Sequence, residues 1–501
     1  AELLILQGRA NRAMSRQSAA TKVFLKCLVQ CLALTVVLAG VRARAQGAQA
    51  REPAENFPFA KGVIIESVTC AAQPEQTYAL FLPSTYTPAR RWPIVYAFDP
   101  AARGRLPVKL LQDVAERYGY IVVGSNNSRN GPSRPQQDAA TAIWDDTHRR
   151  FAIDNRRVYV TGFSGGARFA TFLALGCGCV TGVIAHGAGF PVSATPTGEE
   201  DFSYFSAIGD LDFNYPELVQ LAARLDKLGV TNRLRRFHGP HQWAPAEVWV
   251  EAIEWMELLA MKGGTRTGDE EFIARQVSAA LEKTRALEDA GELYAASYEY
   301  RKLVQAFQGL ADVSLFARKA AELEATEAVR AARKREQEEI SRQEKLTADF
   351  FAHLVALKTE PAARPTTLSL LESKLRELRD EVNSAEEPEQ AIVPRRTLRK
   401  VFALAYESGQ MSLRRNNPAL AAAYFEVATI VFSQGPMAFF QLARARAQAG
   451  DQSGALAALK QAVEKGFKNA ALLRESEEFA ALRDGEDFRA LLRSLAPPPS
   501  Q

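Results

Sequence analysis

The sequence predicts two unlike parts. The first is an α/β domain over 55–262, a mostly parallel sheet with helices on both faces; the second is an all-α region running on from it. Three observations carry this. Short apolar runs alternate with amphipathic segments up to 262, as strands and crossover helices do. Several runs, "IVYAF" and "IVVG" among them, are apolar without alternation, as parallel strands buried on both faces are. Beyond 270 such runs stop, and Ala, Leu, Glu, Lys and Arg dominate.

Taken in order, residues 1–45 come first. They hold seven Arg and Lys against Glu2, a net +6, which leaves −2 for the rest of a chain whose total is +4. The near-neutral remainder argues against a nucleic-acid or anionic-membrane partner. Arg16 and Lys22 precede the apolar run "LVQCLALTVVLAG" (28–40), and Ala43 and Ala45 offer an A-x-A cleavage site. This is the pattern of a secretory signal peptide, so the expected location is periplasmic or secreted, with no stable membrane insertion after cleavage. A run of 13 residues is short for a spanning helix, although an uncleaved anchor is the alternative. Met14 is a second candidate start, and no lipobox cysteine follows "LAG". Cys27 and Cys31 leave with the signal; Cys70, Cys177 and Cys179 remain. In an oxidising compartment the expected bridge joins Cys70 to one member of "CGC" and leaves the other free.

Strands are expected at 62–68, 77–83, 92–98, 120–125, 157–162, 181–187, 203–209 and 232–238, and helices at 110–119, 137–151, 167–175, 216–229 and 244–259. The linker, 263–272, falls in "KGGTRTGDEE" (262–271), where Thr267-x-x-Glu270 has the form of a capping box for the next helix. A helical region over 273–397 contains "EATEAVRAARKREQEEISRQEK" (324–345), whose few apolar positions and interleaved charges predict a solvated helix rather than a coiled coil. Over 398–495, Ala421-x3-Phe425-x2-Ala428 returns as Ala455-x3-Leu459-x2-Ala462, and Asn417 as Asp451, at an offset of 34 residues. That period, with small-large-small positions on the second helix, resembles tetratricopeptide repeats. A weaker unit is expected at 288–303, with Gly291, Ala296 and Tyr300 in the corresponding places. Such a tail implies a protein partner or a docking role.

The chemistry begins at "VYVTGFSGGARFATFLAL" (158–175). Gly-x-Ser-x-Gly by itself arises by chance in roughly one chain in six of this length. Here a strand precedes it, a helix follows, and Gly162, Gly165 and Gly166 flank Ser164 with residues small enough for a strained strand-to-helix elbow. A serine hydroxyl needs a base, and the base needs an orienting carboxylate. On an elbow of this kind the chain order is Ser, acid, His. The strand at 203–209 ends in Gly209-Asp210-Leu211-Asp212; Asp212, three residues past the glycine, is the candidate acid and Asp210 the alternative. "RRFHGPHQWAP" then places His241 in the loop before the last helix, with His238 at the strand end. His148, His186 and His353 fit the order worse.

"IDNRRVYVTGFSGGARFA", "GDLDFNYPEL" and "HGPHQWAP" resemble corresponding blocks of secreted α/β-hydrolases of the dienelactone hydrolase, feruloyl esterase and polyhydroxybutyrate depolymerase group. The resemblance covers about 60–260 and implies Ser164 as nucleophile, Asp212 as orienting acid and His241 as base. The oxyanion hole takes one donor from the Gly165 amide. The second belongs to the loop after 92–98, where relatives carry His-Gly-Gly and this chain carries "DPAARGR"; Pro100 has no N–H, leaving the amides of Asp99 or Ala101. "GSNNSRNGP" (124–132) is a candidate pocket wall or a plain loop. No cofactor and no metal site is implied. The expectation is a serine carboxylesterase acting on a small or polymer-linked ester. A peptidase or thioesterase with the same three residues, or an inactive hydrolase-fold scaffold, is the alternative.

Overall fold

In the computed structural model, which describes residues 58–495, eight strands form one sheet. The proposed signal segment, with Cys27 and Cys31, lies outside the described residues. The order is β1 (Ile64–Cys70), β2 (Gln73–Phe81), β3 (Trp92–Phe98), α1 (Arg105–Tyr118), β4 (Ile121–Ser125), α2 (Ser133–Arg150), β5 (Ile153–Phe163) and α3 (Gly165–Cys177). Then come β6 (Gly182–His186), β7 (Ser203–Gly209), α4 (Tyr215–Lys227), β8 (Asn232–Phe237) and α5 (Ala246–Lys262). Across the sheet the strands run β1-β2-β4-β3-β5-β6-β7-β8. β1 with β2 and β2 with β4 are antiparallel, and all other neighbours are parallel. This is the α/β-hydrolase fold.

The continuous apolar strands are explained by burial on both faces. Every residue of β3 and β4 is buried. Ile94, Tyr96 and Phe98 pack on one side, toward α2, α3 and α4, whereas Val95 packs on the other, toward α1 and α5. β5 starts four residues earlier than its apolar run, because Ile153 pairs with Trp92.

A helical region follows: α6 (Glu270–Asp289), α7 (Leu293–Phe307), α8 (Ser314–Glu324), α9 (Glu327–Thr359), α10 (Arg364–Ser384), α11 (Ile392–Arg414), α12 (Pro418–Val431), α13 (Pro436–Gln448), α14 (Gln452–Glu464), α15 (Ala470–Glu475) and α16 (Glu486–Ser494). The capping box expected at Thr267 does not form. Asp269 is the N-cap of α6, its carboxylate accepting from Phe272 N–H at 2.9 Å, and the short carboxylate reaches that amide without help. The apolar cluster on the α5 face of the sheet runs on without a break into Phe272, Ala296, Tyr300, Phe307 and Phe316 of α6–α8. Burial of each large ring contributes on the order of 2–3 kcal/mol. These helices also cover the edge of the sheet. Tyr298 Oη accepts from Leu234 N–H of β8 at 2.8 Å, and Arg233, 6% exposed, meets Glu251 and Glu299 at 2.7 and 2.6 Å. An edge strand so covered has no free ladder to offer another chain.

Two expectations are corrected. Cys70 makes no bridge: it is a buried free thiol at the end of β1, and Cys177 and Cys179 are bonded to each other. Gly178 between them adopts φ 58°, a left-handed turn that brings the two sulfurs together. Nor is the charged segment merely solvated. It forms α9, 33 residues long, and one face lies on the α/β domain. Glu336 accepts from Tyr215 Oη and Tyr294 Oη and pairs with Arg236; Gln343 donates to the Phe213 carbonyl. The docking is polar, so no apolar stripe marks it in the sequence.

The 34-residue offset corresponds to a repeated packing. Ala421, Phe425 and Ala428 on α12, and Ala455, Leu459 and Ala462 on α14, are all fully buried. Asn417 and Asp451 cap these helices, accepting from Leu420 N–H and Gly454 N–H.

Candidate active site

β5 runs straight into α3, and the turn between them holds Ser164 at φ 53°, ψ −120°. A non-glycine residue there is strained, and a strain of this kind persists only where the surroundings fix it. The Ser164 amide donates to the His186 carbonyl at 2.8 Å, and its carbonyl accepts from Ala167 and Arg168. Glycines make the sharp turn possible. A Cβ at Gly162 would fall 2.1 Å from the Gly166 carbonyl oxygen, and one at Gly166 would fall 2.0 Å from that of Phe98. The hydroxyl therefore projects at the carboxyl end of the sheet, beside the N-terminus of α3, where helix amides have no intrahelical partner.

His241 and Asp212 meet it. Ser164 Oγ lies 2.9 Å from His241 Nε2, and His241 Nδ1 lies 2.8 Å from Asp212 Oδ2. Asp212 is fully buried, and its other oxygen accepts from the Asn214 amide at 2.8 Å. The carboxylate thus has one oxygen anchored and one aimed at the ring. The imidazole sits between Phe163 and Phe213, with ring centroids 4.5 and 4.2 Å away. The alternative acid, Asp210, lies elsewhere. It pairs with His238 Nδ1 at 2.8 Å and accepts from Gly239 N–H. His238 is 87% exposed there, rather than packed at the strand end.

The loop after β3 corrects one oxyanion candidate. The Ala101 amide donates to Asp99 Oδ1 at 2.8 Å and so is engaged within its own turn. Asp99, 1% exposed, also accepts from the Arg103 guanidinium and from Trp243 Nε1, all at 2.9 Å. Burial pushes its carboxyl upward, but these hydrogen bonds outweigh it and hold Asp99 below the usual carboxylate range. Its side chain ties the β3 loop to the loop that carries His241. The Asp99 amide, close to Gly166, and the Gly165 amide are the two donor candidates left. Asn130 and Gly131, from the loop after β4, line the cavity with Ser164, whereas Asn126 and Asn127 bind backbone of β1 and β2.

A helix of the C-terminal region roofs this site, and nothing in the sequence reading placed it there. α11 lies against the acid loop with three basic residues at helical spacing. Arg396 donates to the Asp210 carbonyl at 2.6 Å, Arg399 to the Leu211 carbonyl at 2.9 Å, and Lys400 to Asn214 Oδ1 at 2.8 Å. The guanidinium of Arg396 also lies 3.7 Å from the Tyr215 ring centroid. A cavity of about 330 Å³ opens between α11 and the serine, lined by Ser164, Gly165, Asn130, Arg168, Lys400 and Glu407 among others. "RRTLRK" (395–400) carried the one available signal, a basic stripe at i, i+3 and i+4. Its targets are two backbone carbonyls and the Asn214 side-chain amide, which no sequence pattern announces.

His186 ends β6 directly behind the site. It is fully buried against Trp243 and Trp249, and neither ring nitrogen has a hydrogen-bond partner. Burial alone pushes its pKa from 6.5 down to about 3. Between those values the unfolded chain takes up a proton that the folded chain refuses. Stability therefore falls as pH falls through this window, by about 1.4 kcal/mol per unit from this residue. In urea unfolding at pH 7 and pH 5, His186→Phe is expected to lose about 2 kcal/mol less than the wild type. Equal losses in the two proteins would contradict the assignment.

No family profile matches the sequence, and no curated protein matches it. Among solved structures it is similar to an S-formylglutathione hydrolase from Staphylococcus aureus, 14% identical, over 40% of this chain and 99% of that one, with a TM-score of 0.33. A ferulic acid esterase is 15% identical over 38% and 94% of the two chains, with a TM-score of 0.31. An esterase from Mycobacterium marinum is 16% identical over 48% and 90%, with a TM-score of 0.31.

Proposed function

We propose that the chain is a serine hydrolase that cleaves carboxylic esters through an acyl-enzyme. One observation carries the reading: the unbroken series Ser164 Oγ, His241 Nε2, His241 Nδ1, Asp212 Oδ2, with gaps of 2.9 and 2.8 Å. Ser164 Oγ attacks the ester carbonyl carbon while its proton passes to His241 Nε2. Asp212 accepts from Nδ1–H, holds the tautomer and stabilises the imidazolium. The oxyanion takes hydrogen bonds from the Gly165 amide and the Asp99 amide. The tetrahedral species collapses, the carbon–oxygen bond to the alcohol breaks, and His241 returns its proton to the leaving alkoxide. Water, deprotonated by His241, then attacks the acyl carbon. A second collapse releases the acid and restores Ser164–OH.

Export from the cytoplasm belongs to the same proposal. The basic-apolar-small pattern of residues 1–45 supports it, as does the Cys177–Cys179 disulfide, a bond that persists in oxidising compartments. No helix among the described residues is long and apolar enough to cross a membrane. The repeated hairpins of α11–α14 favour a tetratricopeptide-like tail able to hold a protein partner.

A screen of p-nitrophenyl esters of varied acyl length tests the function. Hydrolysis with a burst of about one nitrophenolate per protein at the start is the expected result. A folded protein that hydrolyses none of them above the uncatalysed rate would defeat the reading.

A further inference from the structure

The cavity over Ser164 has two walls, one from the α/β domain and one from α11, and the α11 wall supplies a cation with no carboxylate paired to it directly. Lys400 is half-buried, and one of its three ammonium hydrogens is donated to Asn214 Oδ1 at 2.8 Å. The ammonium lies 5.1 Å from the Phe213 ring centroid, on the ring that also stacks on His241. Among the described residues no carboxylate makes an ion pair with it, and Glu217, Asp212 and Glu407 act on it only from further off. Glu217 is paired with Arg168 at 2.6 Å and accepts from Gly189 N–H; Asp212 is held by His241 and the Asn214 amide. Glu407 lines the same cavity, but it is exposed, where solvent screens its charge. A half-buried ammonium with no directly paired carboxylate is costly, and burial, with Arg168 nearby, outweighs the more distant Glu217, Asp212 and Glu407 and pushes the Lys400 pKa down. An anion brought into the cavity offsets that cost and fills the two free donor positions.

We propose that the ester this site acts on carries an anionic group, in the simplest case a carboxylate, bound by Lys400 of the helical region beside Ser164. This rests on the hydrolase reading above and narrows it to a substrate class. It also gives the C-terminal helices a part in substrate selection, since the residue that reads the charge lies 159 positions beyond the last of the three reacting side chains. Arg396, one turn back on α11, and Arg399, next to Lys400, fix the helix to the acid loop and so set where Lys400 stands.

Two measurements on the full chain test it. The first is the ratio of kcat/KM for p-nitrophenyl hemiglutarate to that for p-nitrophenyl butyrate. For a negative charge on the alcohol side, the matched pair is 4-acetoxybenzoate and its methyl ester. The wild type is expected to favour the anionic member of at least one pair by about tenfold or more, the range of one charge-assisted contact. Lys400→Gln abolishes that preference and Lys400→Arg keeps most of it. Equal ratios in wild type and Lys400→Gln, for both pairs, overturn the proposal. The second is calorimetric binding of monomethyl glutarate and of 4-acetoxybenzoate to Ser164→Ala protein, which needs no turnover. Binding of either that weakens about tenfold on adding Lys400→Gln supports the site. Binding of neither, or binding indifferent to residue 400, overturns it. Lysine-dependent binding without hydrolysis of any ester would sink the hydrolase reading and leave the anion site standing.

Discussion

Ser164→Ala lowers kcat for the best ester by about 10⁶-fold, to the residue of rate that binding and the oxyanion donors supply alone. The size follows from what is removed. Without Oγ there is no atom to form the acyl-enzyme, and His241 Nε2, 2.9 Å from Oγ, has no proton to take from the chain. The remaining route is direct attack by water on the ester, without the covalent intermediate. The strain at φ 53° belongs to the backbone and persists in the alanine variant, so stability is expected to stay within about 1 kcal/mol of the wild type. Initial rates over a wide range of protein concentration, with circular dichroism to confirm folding, check both statements. A loss of less than about tenfold would mean that the measured hydrolysis does not pass through Ser164.

Asp212→Asn is the second large effect, about 10⁴-fold in kcat. Asparagine fits the space, but it either keeps its oxygen on Asn214 N–H and turns an amide N–H to His241 Nδ1, or turns a neutral carbonyl to His241 and loses the Asn214 bond. An N–H there drives the imidazole into the tautomer with its proton on Nε2, the wrong end for accepting one from Ser164. A carbonyl there leaves the imidazolium without its counter-charge. Asp210→Asn is the internal control. Asp210 sits two residues away, yet it faces His238 at the surface, so its effect is expected to stay within about threefold. Kinetics of the two variants on one ester decide between the acids: a large loss from Asp210→Asn and a small one from Asp212→Asn would reverse the assignment.

The α/β domain was legible because its determinants are local or nearly so. Buried parallel strands are apolar throughout, and β3 and β7 coincide with their runs, residues 92–98 and 203–209. The strand–Gly-x-Ser-x-Gly–helix order marked the elbow. The spacing of Asp210 and Asp212 from Gly209 distinguished two carboxylates that the fold sends to different histidines. The cysteine pairing is not legible because it depends on where the β1 end lies in space, and a left-handed Gly178 makes a two-residue bridge available. The role of the C-terminal helices was hidden for a different reason. α9 and α11 dock through Glu336, Gln343, Arg396, Arg399 and Lys400, and polar residues at such positions read as solvent-facing. Most of their partners, Tyr215 Oη, Asn214 Oδ1 and the carbonyls of Asp210, Leu211 and Phe213, lie more than a hundred residues away. Ala101 was a reasonable oxyanion donor until the Asp99 carboxylate, folded back on its own turn, engaged its amide.

The most direct test of the whole account is chemical. Full-length protein is treated with a fluorophosphonate, digested, and the modified residue is located by mass spectrometry. One phosphonate per chain is expected, on Ser164, and none after Ser164→Ala. Folded protein that stays unlabelled, or carries the adduct on another residue, would contradict it.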